Sequence, residues 1–579
     1  MTRSSLRFVI LLALFSAGVT AQTQPTPPAS PELWYWHHSY LVTDDAVDSS
    51  KALIDKAVSA GYTGVVFWDS SFDFMGNPSW PADNEDRMHE VMKYAAKKHL
   101  KVIALGAPFG WSNDILRVNK NWAEAQRVTG SRFQVDASGK RLTFRNSFPG
   151  TANSGFELGK TDWFELNDPG VGVSTVAHAG KASAVIVNAP ANARLRQKLP
   201  LKLWRQYHLR LFFKSSNFRG SPMVSVLDSS DLNRVRLNAS INAGGNHDWT
   251  SLDYTFDSQD STEAYLYLGV WGGSAGTLWF DDIQVEETAL VYVERRAGAP
   301  IKVYDFEDPD KVYREGADYN YISDPYMASG EASFHLYHDA PSVTLPAGTH
   351  LSPGQVVAID SYSVFPVPYN DQVGMCLTEP GVWQWLERNA RAVKKVVPAG
   401  SGILMAYDEM RQLNSCASCR AKHMSAGQLL AWSVGQSVSL YESVFPGSPL
   451  YIWNDMFDPY HNAHGHYFYA EGDIAGSWKG VPSSVTIMNW NLDHLKDSLT
   501  WFSGLDSRQP IAHRQIIAGY YDNGNGALTA QQEVAEATGI PGVIGLMYTT
   551  WSDDYSQMHA FSAAARSAWG KYLSSLPKH

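Results

Sequence analysis

Six acids of this chain stand at the C-terminal ends of apolar runs: Asp69, Asp408, Glu409, Asp455, Asp522 and Asp553. Trp453, Trp490, Tyr520 and Trp551 occupy equivalent places. If the apolar runs are parallel strands closed into a barrel, their C-terminal ends converge on one rim, where such barrels build active sites. Carboxyl groups and flat aromatic faces on one rim suit glycosidic-bond cleavage. One carboxyl protonates the leaving oxygen, another captures or stabilises the oxocarbenium-like centre, and the aromatics hold the sugar ring. Each acid alone has a plainer reading, because Asp at a strand end readily caps the next helix. Six on one rim are harder to explain that way.

Asp408-Glu409 is the pair to single out. Adjacent acids also occur at Asp44-Asp45, Asp281-Asp282 and Glu286-Glu287, so the dipeptide alone says little. Its place directly after Ile403-Leu404-Met405-Ala406-Tyr407 says more. A Glu held near a second carboxylate in an aromatic-walled pocket has its protonated form favoured by like charge and by desolvation. A general acid working near neutral pH needs that property.

The elements that must position these residues read as α/β. Strands are predicted at 33–42, 65–68 and 101–105, separated by helices near 50–58 and 85–98. Alternation returns after residue 355, with a helix at 382–396 and strands at 403–407, 450–453, 485–490, 516–520 and 543–550. Three strands plus five make eight, with 355–361 as a spare strand, so the expected fold is a (β/α)8 TIM-type barrel. An open doubly wound sheet is the competing architecture, but its early glycine-rich phosphate loop is missing. Between the two halves, 146–290 shows short alternating runs and turns, the pattern of an all-β jelly-roll sandwich. The barrel is thus interrupted after its third strand. The expected order is barrel at 22–145, sandwich at 146–290, an irregular β-rich connection at 291–354, and barrel again at 355–579.

The sandwich opens with Asn153-Ser154-Gly155-Phe156-Glu157 and closes with Leu278-Trp279-Phe280-Asp281-Asp282-Ile283. These segments resemble the first and last strands of jelly-roll carbohydrate-binding modules. The resemblance covers roughly residues 146–287 and implies a structural calcium beside the paired acids; no catalytic cofactor or metal is expected. Trp163, Trp249 and Trp271 are candidate sugar platforms or core residues.

The order of strand ends resembles the family 20 glycoside hydrolases, the β-N-acetylhexosaminidases, over about residues 400–555. The matching positions are Asp408-Glu409 on the fourth strand, Trp453 with Asp455 on the fifth and Trp490 on the sixth. Tyr520-x-Asp522 follows on the seventh and Trp551-x-Asp553 on the eighth. The resemblance implies retaining, substrate-assisted hydrolysis, in which the sugar's own acetamido oxygen attacks the anomeric carbon. Asp408 would orient the acetamido group, Tyr520 would hold its carbonyl, and Glu409 would act as acid and then base. Trp453, Trp490 and Trp551 would wall the pocket, and Asp522 and Asp553 would bind hydroxyls; Asp69 joins them as a rim acid. The chain departs from the family pattern in several places. Ala406-Tyr407 replaces the glycines before the acid pair, His37, His38 and Tyr40 stand where a first-strand arginine is expected, and the last acid is Asp.

Three other enzymatic or binding readings fit the same residues. One is a double-displacement glycosidase on a non-acetamido sugar, with Glu409 as acid and Asp455 or Asp553 as nucleophile about 5–5.5 Å away. A second is a non-catalytic glycan-binding protein. The third is a metal-dependent hydrolase using Asp458, His461 and His464, whose spacing suits a hydrogen-bonding loop better.

Composition narrows the partners. With 58 acids against 47 Lys and Arg, the net charge of −11 argues against nucleic-acid and anionic-membrane binding, leaving an oligosaccharide or polysaccharide as the expected partner. Arg3 and Arg7 precede the apolar run Phe8 to Ala17, and Val19-Thr20-Ala21 supplies small residues for cleavage. Residues 1–21 therefore read as a signal peptide, and the mature protein as secreted or periplasmic. The run is shorter than the roughly 20 residues a membrane span needs. Cys376, Cys416 and Cys419 then suggest one disulfide and one free thiol, the alternative being a zinc site completed by His423.

Overall fold

A computed structural model describes residues 25–577, apart from Ser329, Tyr521, Asn523 and the side chain of Tyr520. The expected signal peptide lies outside the described residues. Eight parallel strands close into a barrel in chain order. They are β1 (Glu32–His38), β2 (Gly64–Trp68), β3 (Lys101–Leu105), β4 (Gly402–Met405), β5 (Leu450–Trp453), β6 (Thr486–Asn489), β7 (Gln515–Tyr520) and β8 (Val543–Thr549). Seven α-helices of two turns or more flank them: α1 (Asp44–Ser59), α2 (Ala82–Lys97), α3 (Pro380–Val396), α4 (Ala426–Val444), α5 (Leu495–Phe502), α6 (Gly526–Glu536) and α7 (Met558–Ser575). Between β5 and β6 the described residues hold only short 3-10 turns, Asp455–Phe457 and Ser477–Gly480.

Strand alternation explains how β1 serves the barrel. Trp34 and Trp36 share one face: Trp34 meets Tyr451 of β5 edge-on at 5.2 Å, and Trp36 meets Trp453 at 5.6 Å. Tyr35 and His37 face outward, Tyr35 onto Tyr62 at 5.8 Å and His37 Nε2 to Ser50 Oγ of α1 at 3.0 Å. Burial pushes His37 down to about 3, so this imidazole is neutral. Burying an indole of roughly 200 Å² contributes on the order of 5 kcal/mol before entropy costs, so Trp34 and Trp36 matter to closure. Large rings require small neighbours. A Cβ on Gly64 would meet the Trp34 ring at 2.6 Å, and one on Gly545 of β8 would meet the Glu32 carbonyl of β1 at 1.8 Å. Gly545 thereby lets the last strand approach the first.

The chain leaves the barrel after β3 and returns through α3. Two antiparallel sheets of four and five strands, between Val171 and Thr288, form the inserted sandwich around its own hydrophobic core. Its closing strand, Ala275–Thr288, matches expectation, and the ladder breaks between Asp281 and Gln284, where Asp282 has a φ of 48°. The opening motif differs from expectation. Asn153 and Phe156 sit in left-handed turns, and Asn153 Nδ2 donates to the carbonyls of Gly159 and Thr161, so this segment is a folded corner and no strand. Trp163 is fully buried with its indole N–H on the carbonyls of Ala152 and Asn153, which makes it core and not a platform. Trp249 is half-buried, and Trp271 is 38% exposed.

A third sheet of six antiparallel strands occupies what read as barrel ends and irregular connection. Its central pair is Gln126–Val135 with Val356–Ser363, whose backbone partners are each other. Residues 126–145 and 355–363 therefore belong to the insertion's stem. The spare strand expected at 355–361 is spent there. Apolar alternation identifies a half-buried strand but not its partner, which long-range pairing selects.

The paired acids of the sandwich tie their strand end to the loop around His178. Asp281 accepts backbone N–H groups from His178, Ala179 and Asp282, and Asp282 Oδ2 lies 2.6 Å from His178 Nδ1.

Gly545→Ala should strain the β1–β8 seam. An overpacking penalty of about 1–3 kcal/mol is expected, read as a lower urea midpoint in equilibrium unfolding. An unchanged midpoint would show that the seam yields without cost.

Candidate active site

The loop after β4 carries the Asp408-Glu409 pair. Glu409 has a φ of 49°, a left-handed conformation that non-glycine residues rarely adopt. Its backbone N–H donates to Asp455 Oδ2 at 2.8 Å, so the carboxylate beyond β5 holds the turn beyond β4. Gly110 makes room: a Cβ there would lie 2.2 Å from the Asp408 carbonyl. Gln372 Nε2 caps the carbonyls of Gly110 and Glu409, each at 2.9 Å. Strain of this kind costs on the order of 1–3 kcal/mol and persists where surrounding contacts over-determine it, often at active sites.

Three carboxyls meet here. Asp455 is fully buried; besides the Glu409 N–H it accepts Asn462 Nδ2 at 2.9 Å and the Trp490 indole N–H at 3.4 Å. Burial raises its pKa above the usual range despite those donors. Asp408 is pushed up to about 8, first by burial and then by the negative charges of Asp455 and Glu409. Glu409 is raised as well: burial is the largest cause, Asp455 adds to it, and Arg411 and Trp111 oppose it. Arg411 Nη2 lies 2.6 Å from Glu409 Oε1, and its other branch binds Gln372. Three aromatic rings surround the guanidinium: Phe468 at 5.0 Å, Tyr369 at 5.1 Å and Trp111 at 5.6 Å. The Glu409 side chain keeps 26% of its surface open.

The other rim residues have different fates. Trp453 is nearly buried against Trp36 in the barrel mouth, while Trp551 is 53% exposed and meets Trp36 edge-on at 5.2 Å. Trp490 is half-buried and meets His461 at 4.3 Å. Asp553 is exposed, 3.4 Å from His38 Nδ1. Asp69 is buried and caps the turn Ser70–Asp73, accepting from Ser71 N at 2.9 Å and Leu41 N at 3.0 Å. Asp522 accepts from Thr550 Oγ1, from Ser552 Oγ and from the backbone N–H groups of Trp551 and Ser552. For Asp69 and Asp522 the structure thus places loop-tying hydrogen bonds where sugar contacts were expected. Tyr520 ends β7, and its side chain lies outside the described residues.

Sequence reading missed Arg411, Gln372, Trp111, Tyr369 and Tyr467. Arg411, two residues past Glu409, offered a signal; Gln372, Trp111 and Tyr369 come from segments around 110 and 370 with no strand-end mark, and Tyr467 enters only as the neighbour of Phe468, 5.1 Å between rings. The metal alternative is not assembled. Asp458 accepts from Asn454 Nδ2 and Tyr460 N, His464 Nδ1 turns to the Gly465 carbonyl, and these residues form no metal-holding group among the described residues. Among the described residues one group could hold a metal, Glu124 with Cys376, Cys416 and Cys419. The expected disulfide is not formed: all three cysteines are free thiols. His423 is exposed and outside that group, so Glu124 takes the place expected for it.

No protein-family model and no curated protein matches the chain. Among solved structures, a family 4 carbohydrate-binding module is 18% identical, aligned over 24% of this chain and 99% of its own, with a TM-score of 0.20. A family 61 module solved with β-1,4-galactotriose is 16% identical over 25% of this chain and 99% of its own, with a TM-score of 0.20. A rhamnosidase from Novosphingobium sp. PP1Y is 12% identical over 90% of this chain and 56% of its own, with a TM-score of 0.32.

Proposed function

We propose that the chain is a glycoside hydrolase acting on an oligosaccharide or polysaccharide, with Glu409 as the proton-donating carboxyl. The observation that carries this reading is the gathering of Asp408, Glu409 and Asp455 from the ends of β4 and β5, with the pKa values of all three raised. Glu409 alone of the three has both a partly open side chain and a backbone pinned by Asp455. Protonated, it would donate to the departing glycosidic oxygen; ionised, it would accept a proton from the incoming water. Trp490, Trp111 and Tyr369 would line the sugar's approach.

Asp408 serves as the orienting group in a substrate-assisted, retaining reaction on N-acetylhexosaminides. Burial and the neighbouring charges push its carboxyl up to about 8, and in its ionised form it would accept the acetamido N–H. The double-displacement reading on a plain sugar is less favoured, because Asp455 is enclosed by the Glu409 N–H, Asn462 and Trp490 and is better placed to position than to attack. Trp551 and Asp553, exposed across the rim, would contact outer sugar units. Trp271 on the sandwich would offer an accessory sugar platform. No helix among the described residues is long and apolar enough to cross a membrane. Export to the periplasm or medium belongs to the proposal through the basic and apolar N-terminal segment.

Purified protein should cleave at least one member of an arylglycoside panel containing N-acetyl and plain sugars. Glu409→Gln should lower kcat by about 10²–10⁴-fold while glycan binding persists. Absence of turnover across the panel, with glycan binding intact, would instead make the chain a binding protein. Activity should fall on the alkaline side as Glu409 loses its proton, and Arg411→Gln should move that limb to higher pH by removing the charge that opposes protonation. An unmoved limb would detach Arg411 from the acid.

Asp408 also ties activity to stability. Its folded pKa of about 8 lies above the unfolded value, about 3.9. It therefore favours the folded state below about pH 4 and increasingly penalises it up to pH 8. Asp408→Asn should raise the urea midpoint at pH 8 more than at pH 4; an equal change at both would contradict the buried, protonated state.

A further inference from the structure

Four side chains from three segments meet in a cluster that includes none of Asp408, Glu409 and Asp455. Cys376 Sγ lies 3.5 Å from Cys416 Sγ and 3.6 Å from Cys419 Sγ, and Cys419 Sγ lies 3.4 Å from Glu124 Oε2. All four ligand atoms fall within 4.8 Å of one another, and the four residues are 0–2% exposed. A disulfide requires sulfurs about 2.05 Å apart, and Cys376 stands at nearly the same distance from both other sulfurs, with neither singled out. Tetrahedral zinc sets different distances. With Zn–S of about 2.3 Å and Zn–O of about 2.0–2.2 Å, the edges of the tetrahedron are about 3.8 Å between sulfurs and about 3.5 Å between sulfur and oxygen. The observed separations are close to both.

The surroundings fit the same geometry. Glu124 Oε1 accepts from Ser415 N at 2.6 Å, Cys416 N at 2.9 Å and Ser415 Oγ at 3.0 Å, which turns Oε2 toward the thiols. Hydroxyls approach the sulfurs: Ser418 Oγ at 3.2 Å from Cys416 and Thr378 Oγ1 at 3.2 Å from Cys419. Such outer contacts orient and tune metal ligands. Arg296 reaches Ser418 Oγ and the Ala123 carbonyl, setting a buried cation beside a group that would be net negative even with a divalent ion. Cys416 and Cys419 form a C-x2-C knuckle around the single helical turn Ala417–Arg420, a common half of structural zinc sites.

We infer that Glu124, Cys376, Cys416 and Cys419 bind one zinc-class divalent ion in a closed, structural Cys3Glu site. Glu124 lies where the chain leaves the barrel, Cys376 where it returns, and the two other cysteines ride on the loop that carries Glu409 and Arg411. The ion would pin both ends of the insertion to that loop, independently of what reaction the loop performs.

Full-length protein, purified without a metal-affinity step and passed over a chelating resin, should retain about one zinc per chain by mass spectrometry of metals. Unfolded in denaturant without reductant, it should show three titratable thiols. Cobalt exchanged into the site should give thiolate charge-transfer absorption and the visible bands of tetrahedral coordination. Glu124→Gln should lose its ion to a soluble chelator at least 10-fold faster, and Cys416→Ser/Cys419→Ser should hold none. One titratable thiol without metal would establish a disulfide and overturn the site. Three thiols with no uptake of zinc or cobalt by the reduced native protein would also overturn it, whatever the variants do. Unaltered metal retention in Glu124→Gln would remove Glu124 and sink the four-ligand assignment.

Discussion

The bond from the Glu409 backbone N–H to the Asp455 carboxylate joins two strand ends that are neighbours in the barrel and 46 residues apart in the chain. It fixes a glutamate in a left-handed turn, and that turn aims the side chain back toward Arg411. The same carboxylate takes Asn462 and the Trp490 indole, so the loops after β4, β5 and β6 share one anchor. Anchoring is electrostatically demanding because the anchor itself is buried. Each donor offsets part of its desolvation, and its charge falls on Asp408 and Glu409, holding their protons more tightly. Asp455 thus sets the position of the turn, while the protonation of its neighbours comes first from burial and then from its charge.

The barrel tolerates a large insertion because its ends are kept together. β3 and β4 are adjacent and pair Ile103 with Gly402, so the chain must return to within one strand spacing of its exit. It does so by pairing outgoing Gln126–Val135 against returning Val356–Ser363. The stem closes the loop with backbone hydrogen bonds, and the sandwich beyond it packs its own core. The stem and sandwich can therefore vary in content while the strand contacts of the barrel stay the same.

Acids at equivalent strand ends end up with unequal work. Asp69 faces the N–H groups of Leu41 and Ser71, and Asp522 faces those of Trp551 and Ser552. Both become fasteners for loops. Asp408 and Glu409 find few backbone donors and, beyond burial, neighbouring negative charges, so their pKa values are raised. Hydrogen-bond supply, not position on the rim, separates the two groups.

The sequence by itself determined the alternation of apolar runs and amphipathic helices, the site of the interruption and the pair Asp408-Glu409 with Asp455, because side-chain periodicity and strand-end acids are local properties. It also carried the mark of the closing sandwich strand. Tertiary structure alone decided that 355–363 zips to 126–135, that Phe156 turns where a strand was expected, and that Asp69 and Asp522 tie loops through hydrogen bonds. It alone brought Arg411, Gln372 and Trp111 to Glu409, and Glu124 to three cysteines more than 250 residues away. The physical reason is that partners of strand edges, carboxylates and thiols are chosen by proximity after closure, and a one-dimensional pattern records which groups need partners but not which ones they meet.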